Sequence, residues 1–191
     1  AGSRYQIVID SMEAAGVVLE TGEGVESFRP GDRVLAFLDH GGYAQEAIAR
    51  EPDVTALPDT MSFTDAAAFP VVYGTSHLAL RHRAALQSGE TLLVHGASGA
   101  TGLAAVHIAK VIGATVIATG RSAEKLATVA EQGADHVIVT KRDADGKLER
   151  FRDEVKAIAK DGVDVVYDAV GGEISLESLR CVRFGARFLV V

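Results

Sequence analysis

A doubly wound α/β fold preceded by a β-rich segment is what this 191-residue chain predicts. Three observations carry that prediction. From about residue 90 onward, short apolar runs alternate strictly with helix-like stretches. The first of those runs, Thr91–His95, leads into glycines at 96, 99 and 102 and then a long apolar helix. Before residue 64 the texture is different: apolar runs of about five residues are broken by Gly, Pro and Asp, which reads as strands joined by tight turns.

In the first 63 residues, strands are expected around Ala15-Gly-Val-Val-Leu19 and Arg33-Val-Leu-Ala-Phe37, with turns at Pro30-Gly31 and Gly41-Gly42. Pro30 pre-sets φ and Gly31 accepts a positive φ. Ser62 or Thr64 can cap a helix running through Asp65 to Ala68. A second helix is expected over residues 75–85. Its Arg81, His82 and Arg83 lie toward the C-terminal end, where the helix dipole favours cations. Strands over 91–95, 115–119, 136–139, 163–168 and 187–191 then alternate with helices over 101–112, 123–132, 146–160 and 173–180. Gly113, Gly133 and Gly162 follow the first three of these helices as C-terminal caps. Repeated βα units imply a parallel sheet with helices on both faces. Five strands are visible where a complete dinucleotide fold has six, so the sheet reads as incomplete and the chain as a truncated piece.

The glycine turn is the strongest functional signal. Gly-x-x-Gly-x-x-Gly departs from Gly-x-Gly-x-x-Gly because position 97 is alanine, but it sits on a strand-to-helix junction in a βα series. The segment Ser98-Gly99-Ala100-Thr101-Gly102 is therefore the expected pyrophosphate cradle. Exposed N–H groups and the positive helix end both favour an anion there. Gly99 would let the backbone approach the ligand, Gly102 would let the helix pack on the sheet, and Ser98 and Thr101 could add hydroxyl donors. At the end of the second strand an NAD site places Asp or Glu. This chain has Thr119-Gly120-Arg121-Ser122, followed by Lys125. A guanidinium with a hydroxyl and an ammonium would hold a 2′-phosphate that an acid would repel, so NADP(H) is the expected cofactor.

Bulk properties exclude several classes. The net charge of −7 and the scattered basic residues argue against a nucleic-acid surface or an anionic membrane. A single cysteine, Cys181, rules out a disulfide framework and a four-cysteine zinc lobe, and reads as a small buried hydrophobe. No apolar run is long enough to span a bilayer and no signal peptide is evident, which points to a cytoplasmic protein. His77, His82, His95, His107 and His136 show no ligand spacing and read as surface or helix-face residues. No Tyr-x-x-x-Lys occurs.

Several segments together resemble the medium-chain dehydrogenase/reductase superfamily, and most closely its zinc-free quinone oxidoreductases. They are Val94-His-Gly-Ala-Ser-Gly-Ala-Thr-Gly-Leu103, Lys125 with Gly133-Ala-Asp-His136, Asp164-Val-Val-Tyr-Asp168 with Gly171-Gly172, and Ser178-Leu-Arg-Cys181. Upstream, Glu13-Ala-Ala-Gly-Val-Val18, Phe28-Arg-Pro-Gly-Asp-Arg-Val34, Gly41-Gly-Tyr-Ala44 and Pro70-Val-Val-Tyr-Gly-Thr75 complete the likeness. The resemblance implies part of a GroES-like catalytic domain over 1–63 and an NADP-binding Rossmann domain, lacking its last strand, over 64–191. It implies Thr75 beside the nicotinamide, backbone near Val170 and Gly171 at the same end, and a homodimer for the full-length protein. Met12 stands where zinc-dependent relatives have a ligand histidine, and Val71 near their cysteine ligand, so the resemblance implies no catalytic zinc. Ser11 and Asp10 also depart from the family pattern, as does Thr140, beside Lys141 and Arg142, where a tyrosine is frequent.

The function expected is hydride transfer from NADPH to a quinone or an α,β-unsaturated carbonyl. Such acceptors need hydride at one end and a proton or hydrogen-bond donor at the other, without a metal. The cofactor contacts expected are Thr75, Ser98, Gly99, Ala100, Thr101, Gly102, Gly120, Arg121, Ser122, Lys125 and Val170. Tyr73 and Thr75 are the only catalytic candidates, and Asp168 is expected to cap the turn that follows it. The alternatives are an NADP-binding protein of the same fold with a structural or sensing role, and a zinc alcohol dehydrogenase, which the missing ligands disfavour.

Overall fold

The computed structural model describes residues 3–9 and 12–191, with side chains from Met12 onward. The expectations for Asp10 and Ser11 lie outside the described residues. The chain divides into two units, one up to Val71 and one from Val72.

The first unit is an antiparallel sheet. It consists of β1 (Ser3–Ile9), β2 (Glu13–Glu20), β3 (Arg33–Phe37), β4 (Glu46–Ala49) and β5 (Val54–Ala56), ordered β4-β1-β2-β3-β5. The Pro30-Gly31 turn forms as expected, with Gly31 at φ +97°. Ala14, Val18, Val34 and Ala36 build its core. A short helix, α1 (Phe63–Ala68), packs Ala66 and Ala67 against Ala15 of β2. Of the two capping candidates it is Ser62 that serves, accepting from the Asp65 N–H at 3.0 Å.

Helix α2 (Pro70–His77) begins five residues before the expected position, because a proline needs no N–H in a helix's first turn. It continues as a π-helical stretch, Leu78–Arg83.

The second unit is the expected parallel sheet. Its strands are β6 (Thr91–His95), β7 (Thr115–Gly120), β8 (His136–Val139), β9 (Val163–Asp168) and β10 (Val182–Val190). The order β10-β9-β6-β7-β8 is that of a doubly wound sheet, with the first strand, β6, between the second and the fourth. Chain direction reverses at β6/β9, so the crevice for a ligand lies at the carboxyl ends of those strands. Helices α3 (Ala100–Ile112), α4 (Ala123–Glu131), α5 (Arg152–Ile158) and α6 (Glu173–Ser178) link them. Leu92, Val94, Val116 and Val165 fill one face of the sheet and Leu93, Ile117 and Val166 the other, as parallel strands buried on both sides require. Cys181 is fully buried in the second of these cores, and burial pushes its thiol up to about 11.

Two expectations are corrected. The helix placed over 146–160 covers only Arg152–Ile158. Residues Lys141 to Glu149 instead form a small hairpin bridged between Arg142 and Leu148, turning at Gly146 with φ +78°. The Asp143 carboxylate stabilises the turn by accepting the N–H groups of Asp145 and Lys147, a use of Asp that competes with helix. The last strand starts at Val182 rather than 187, with a break in register around Gly185. Among the described residues, no helix is long and apolar enough to cross a membrane.

Candidate cofactor cleft

At the carboxyl end of β6 the chain turns through Gly96 at φ +64°, and the Gly99 N–H closes the turn on the Gly96 carbonyl at 2.9 Å. Gly99 is the N-cap of α3 and no side chain caps that end, so the first-turn N–H groups stay available to an anion. Gly102 must be glycine: a Cβ there would lie 2.5 Å from the Gly96 carbonyl oxygen and 2.8 Å from the Ala97 Cα. The backbone of the turn that follows β6 and the first turn of α3 are thus in direct contact.

A cleft of about 860 Å³ opens beside this turn. Gly96, Ser98 and Gly99 line one end, and Thr119, Gly120 and Arg121 the end of β7. Thr140, Lys141 and Arg142 follow from the end of β8, and Leu148, Val170 and Ile174 form the remaining wall. No carboxylate lines it, whereas three cations do. A cradle with a bare helix N-terminus, sized for a large ligand and ringed by cations, fits a phosphorylated dinucleotide.

The floor of the cleft holds a histidine whose surroundings the sequence did not reveal. His95 is fully buried, not on the surface. Its Nδ1 lies 2.7 Å from the Thr119 hydroxyl and its Nε2 2.6 Å from that of Ser178. Ser178 donates its proton to the Ile174 carbonyl at 2.6 Å, so His95 donates from Nε2 and accepts from Thr119 at Nδ1. Burial drives the imidazolium pKa down to about 4, against the pull of Asp168, and keeps the ring neutral. The signal was available in the strand: on a central parallel strand, His95 shares a face with buried Leu93.

Asp168 at the end of β9 does what was expected of it. Its Oδ1 accepts the Val170 and Gly171 N–H groups at 2.9 and 3.0 Å, and its Oδ2 accepts the Ser175 hydroxyl. Burial alone would raise its pKa, but these hydrogen bonds and nearby His95 together hold it below the usual carboxylate range.

The chain resembles known proteins throughout. Residues 100–191 match the zinc-binding dehydrogenase family model. Quinone oxidoreductase-like protein 2 of Bos taurus is 41% identical over 185 residues, covering 94% of this chain and 50% of that protein. A crystal structure of Escherichia coli quinone oxidoreductase complexed with NADPH superposes with a TM-score of 0.84 at 28% identity, over 99% of this chain and 64% of the other. The CurK enoyl reductase superposes at 0.82 and 35% identity, over 93% and 52%. The chain belongs to the medium-chain dehydrogenase/reductase superfamily. It falls in the quinone oxidoreductase branch and spans about half the length of the curated relatives it matches.

Against that superfamily's pattern, the positions of the sequence-derived residues can be compared. Ser98, Gly99, Gly120, Arg121 and Val170 line the cleft. Ala100, Thr101 and Gly102 form the first turn of α3 behind them. Ser122 caps α4, accepting the Lys125 N–H at 3.3 Å. Lys125 is exposed in the same turn and does not line the cleft, whereas Lys141 does. Thr75 is half-buried on α2 and is not among the cleft's lining residues; its neighbour Ser76 donates to the Thr101 carbonyl at 2.9 Å. Tyr73 meets His107 Nδ1 at 2.7 Å, and Nε2 of that ring lies 3.2 Å from Gln132.

The resemblance aligns Met12 and Val71 with zinc-ligand positions of zinc-dependent members, and Val71 is joined to Glu13, the chain neighbour of Met12. Buried Glu13 accepts the Val71 N–H at 2.6 Å, beside Met12. An exposed thioether and an aliphatic side chain supply no good zinc donor, so these residues do not fit the metal.

Proposed function

We propose that this chain handles the cofactor in an NADPH-dependent, zinc-independent oxidoreductase that transfers hydride to a quinone or an α,β-unsaturated carbonyl. The observation that carries the reading is the end of β7. Arg121 stands there in the cleft where an NAD-selective site has an acid, and it forms no ion pair among the described residues. The N–H groups of Gly99 to Thr101 would hold the pyrophosphate. Arg121, with Ser122 and Lys125, would hold the 2′-phosphate. Thr75 and the backbone at Val170 would meet the nicotinamide, whereas the Tyr73 hydroxyl, the other catalytic candidate, has its proton committed to His107 Nδ1 and is assigned no role toward the acceptor. Bound NADPH supplies the hydride. The donor set at Met12 and Val71 supports an acceptor electrophilic enough to react without a metal. Residues 1–63 are assigned to a GroES-like catalytic domain and 64–191 to the NADP-binding domain.

Fluorescence titration with NADPH and NADH tests the cofactor, and turnover against a panel of quinones and enones tests the acceptor. NADPH is expected to bind more tightly. Arg121→Ala should weaken NADPH by roughly ten- to a hundred-fold, as the loss of charge-assisted hydrogen bonds worth about 1.5–3 kcal/mol implies, and leave NADH nearly unchanged. Equal affinities in the wild type would sink the assignment.

A further inference from the structure

The hairpin from Lys141 to Glu149 contributes Lys141, Arg142 and Leu148 to the wall of the cleft, and side-chain contacts of Leu148 and Arg142 tie it to the rest of the unit. On its inner side Leu148 is half-buried against the core that holds Phe151 and Ile174. On its outer side Arg142 Nη1 donates to Glu173 Oε2 at 2.7 Å, joining the hairpin to the first residue of α6. The same guanidinium nitrogen donates to the Gly146 carbonyl at 2.5 Å, so one group closes the hairpin on itself and fastens it to α6. Arg142 lines the cleft but Glu173 does not.

Within itself the hairpin is ordered by local bonds. Asp143 N–H donates to the Lys147 carbonyl at 2.9 Å and Glu149 N–H to the Lys141 carbonyl at 2.9 Å. It can therefore move as a piece, with the ion pair as a cross-link to α6.

We propose that Glu173 is a positioning residue for the cofactor cleft: through Arg142 it fastens the hairpin as the cleft's outer wall, and so sets how long a dinucleotide stays bound. This rests on the cofactor reading above. The ion pair is half exposed at both ends, so its effect is modest and sensitive to salt. A carboxylate that competed with a phosphate for Arg142 would have the opposite sign, so the direction of the change in release decides the role.

The experiment is stopped-flow displacement of NADPH from the wild type, Glu173→Gln and Glu173→Asp. Glu173→Gln should speed release about two- to five-fold, the range an exposed ion pair supports. The difference should shrink in high salt, and Glu173→Asp should recover part of the slow release. The thermal midpoint, read in parallel, should hardly move, which separates fastening from general stability. Unchanged or slower release from Glu173→Gln would overturn the proposal while leaving the cofactor reading intact. A wild type that binds no dinucleotide would overturn both.

Discussion

The glycine turn and the Lys141–Glu149 hairpin border one cleft, but they are made of different materials. At the turn, backbone meets backbone: Gly102 packs on Gly96 and Ala97, and α3 offers N–H groups that no side chain caps. At the hairpin, exposed cations do the lining, and an ion pair with Glu173 does the fastening. Backbone packing tolerates almost no change, because it leaves no rotamer to adjust. A wall of side chains can open, exchange partners and close again. One end of the cleft is thus suited to fixing a pyrophosphate and the other to governing its neighbour's entry and exit.

The sharpest way to break that contrast is at Gly102. A valine there would drive its Cβ into three backbone atoms that cannot step aside. Overpacking of this kind costs about 3 kcal/mol, and chemical denaturation should show a loss of that size together with loss of NADPH binding. A near-neutral Gly102→Val would mean that α3 can lift off the sheet, and the two ends would differ less than the geometry says.

His95 provides the next test, because it underlies both ends. Its folded pKa lies near 4, below the 6.5 of an unfolded histidine. The unfolded chain therefore takes up a proton through pH 6.5 that the native ring refuses until about pH 4. Stability contributed by the neutral ring is whole above pH 6.5 and is lost as pH falls through that window, approaching about 3 kcal/mol at its lower edge. Asp168 works at lower pH: its depressed pKa adds stability that persists above the ordinary carboxylate range and is lost as its carboxylate is protonated. Denaturation midpoints between pH 7 and 4 should slope in the wild type. In His95→Gln they should be flatter, although that variant is less stable at neutral pH. An equal slope in both would show that His95 is not the group titrating.

These differences also explain what could be read from residues alone. The parallel sheet, its order of βα units and the cradle were legible because glycine positions and apolar runs report backbone geometry directly. Gly113 and Gly133 take the positive φ that the ends of α3 and α4 demand; Gly162 also has positive φ, but α5 ends at Ile158, so it turns the chain into β9 rather than capping the helix. The hairpin was not legible. Residues 147–150 carry helix formers, but Asp145-Gly146 is a turn pair, and with Gly146 at φ +78° and the Asp143 side chain satisfying two N–H groups the turn wins there. The burial of His95 was half legible, since strand alternation places it with Leu93, but its two hydroxyl partners come from Thr119 and Ser178, far away in sequence.

The smallest expected effect concerns that turn. Asp143→Ala removes the acceptor for the Asp145 and Lys147 N–H groups, at a cost of about 1 kcal/mol, as for other side-chain caps of backbone donors. Because the hairpin is local and exposed, the loss should fall on its own opening rather than on the whole unit. Hydrogen exchange at residues 143–149 should speed up roughly five-fold while exchange in β6 and β9 stays as it was. If β6 and β9 quickened too, the hairpin would be part of the cooperative core. The contrast between a backbone-built end and a detachable one would then fail at the point where the cleft most depends on it.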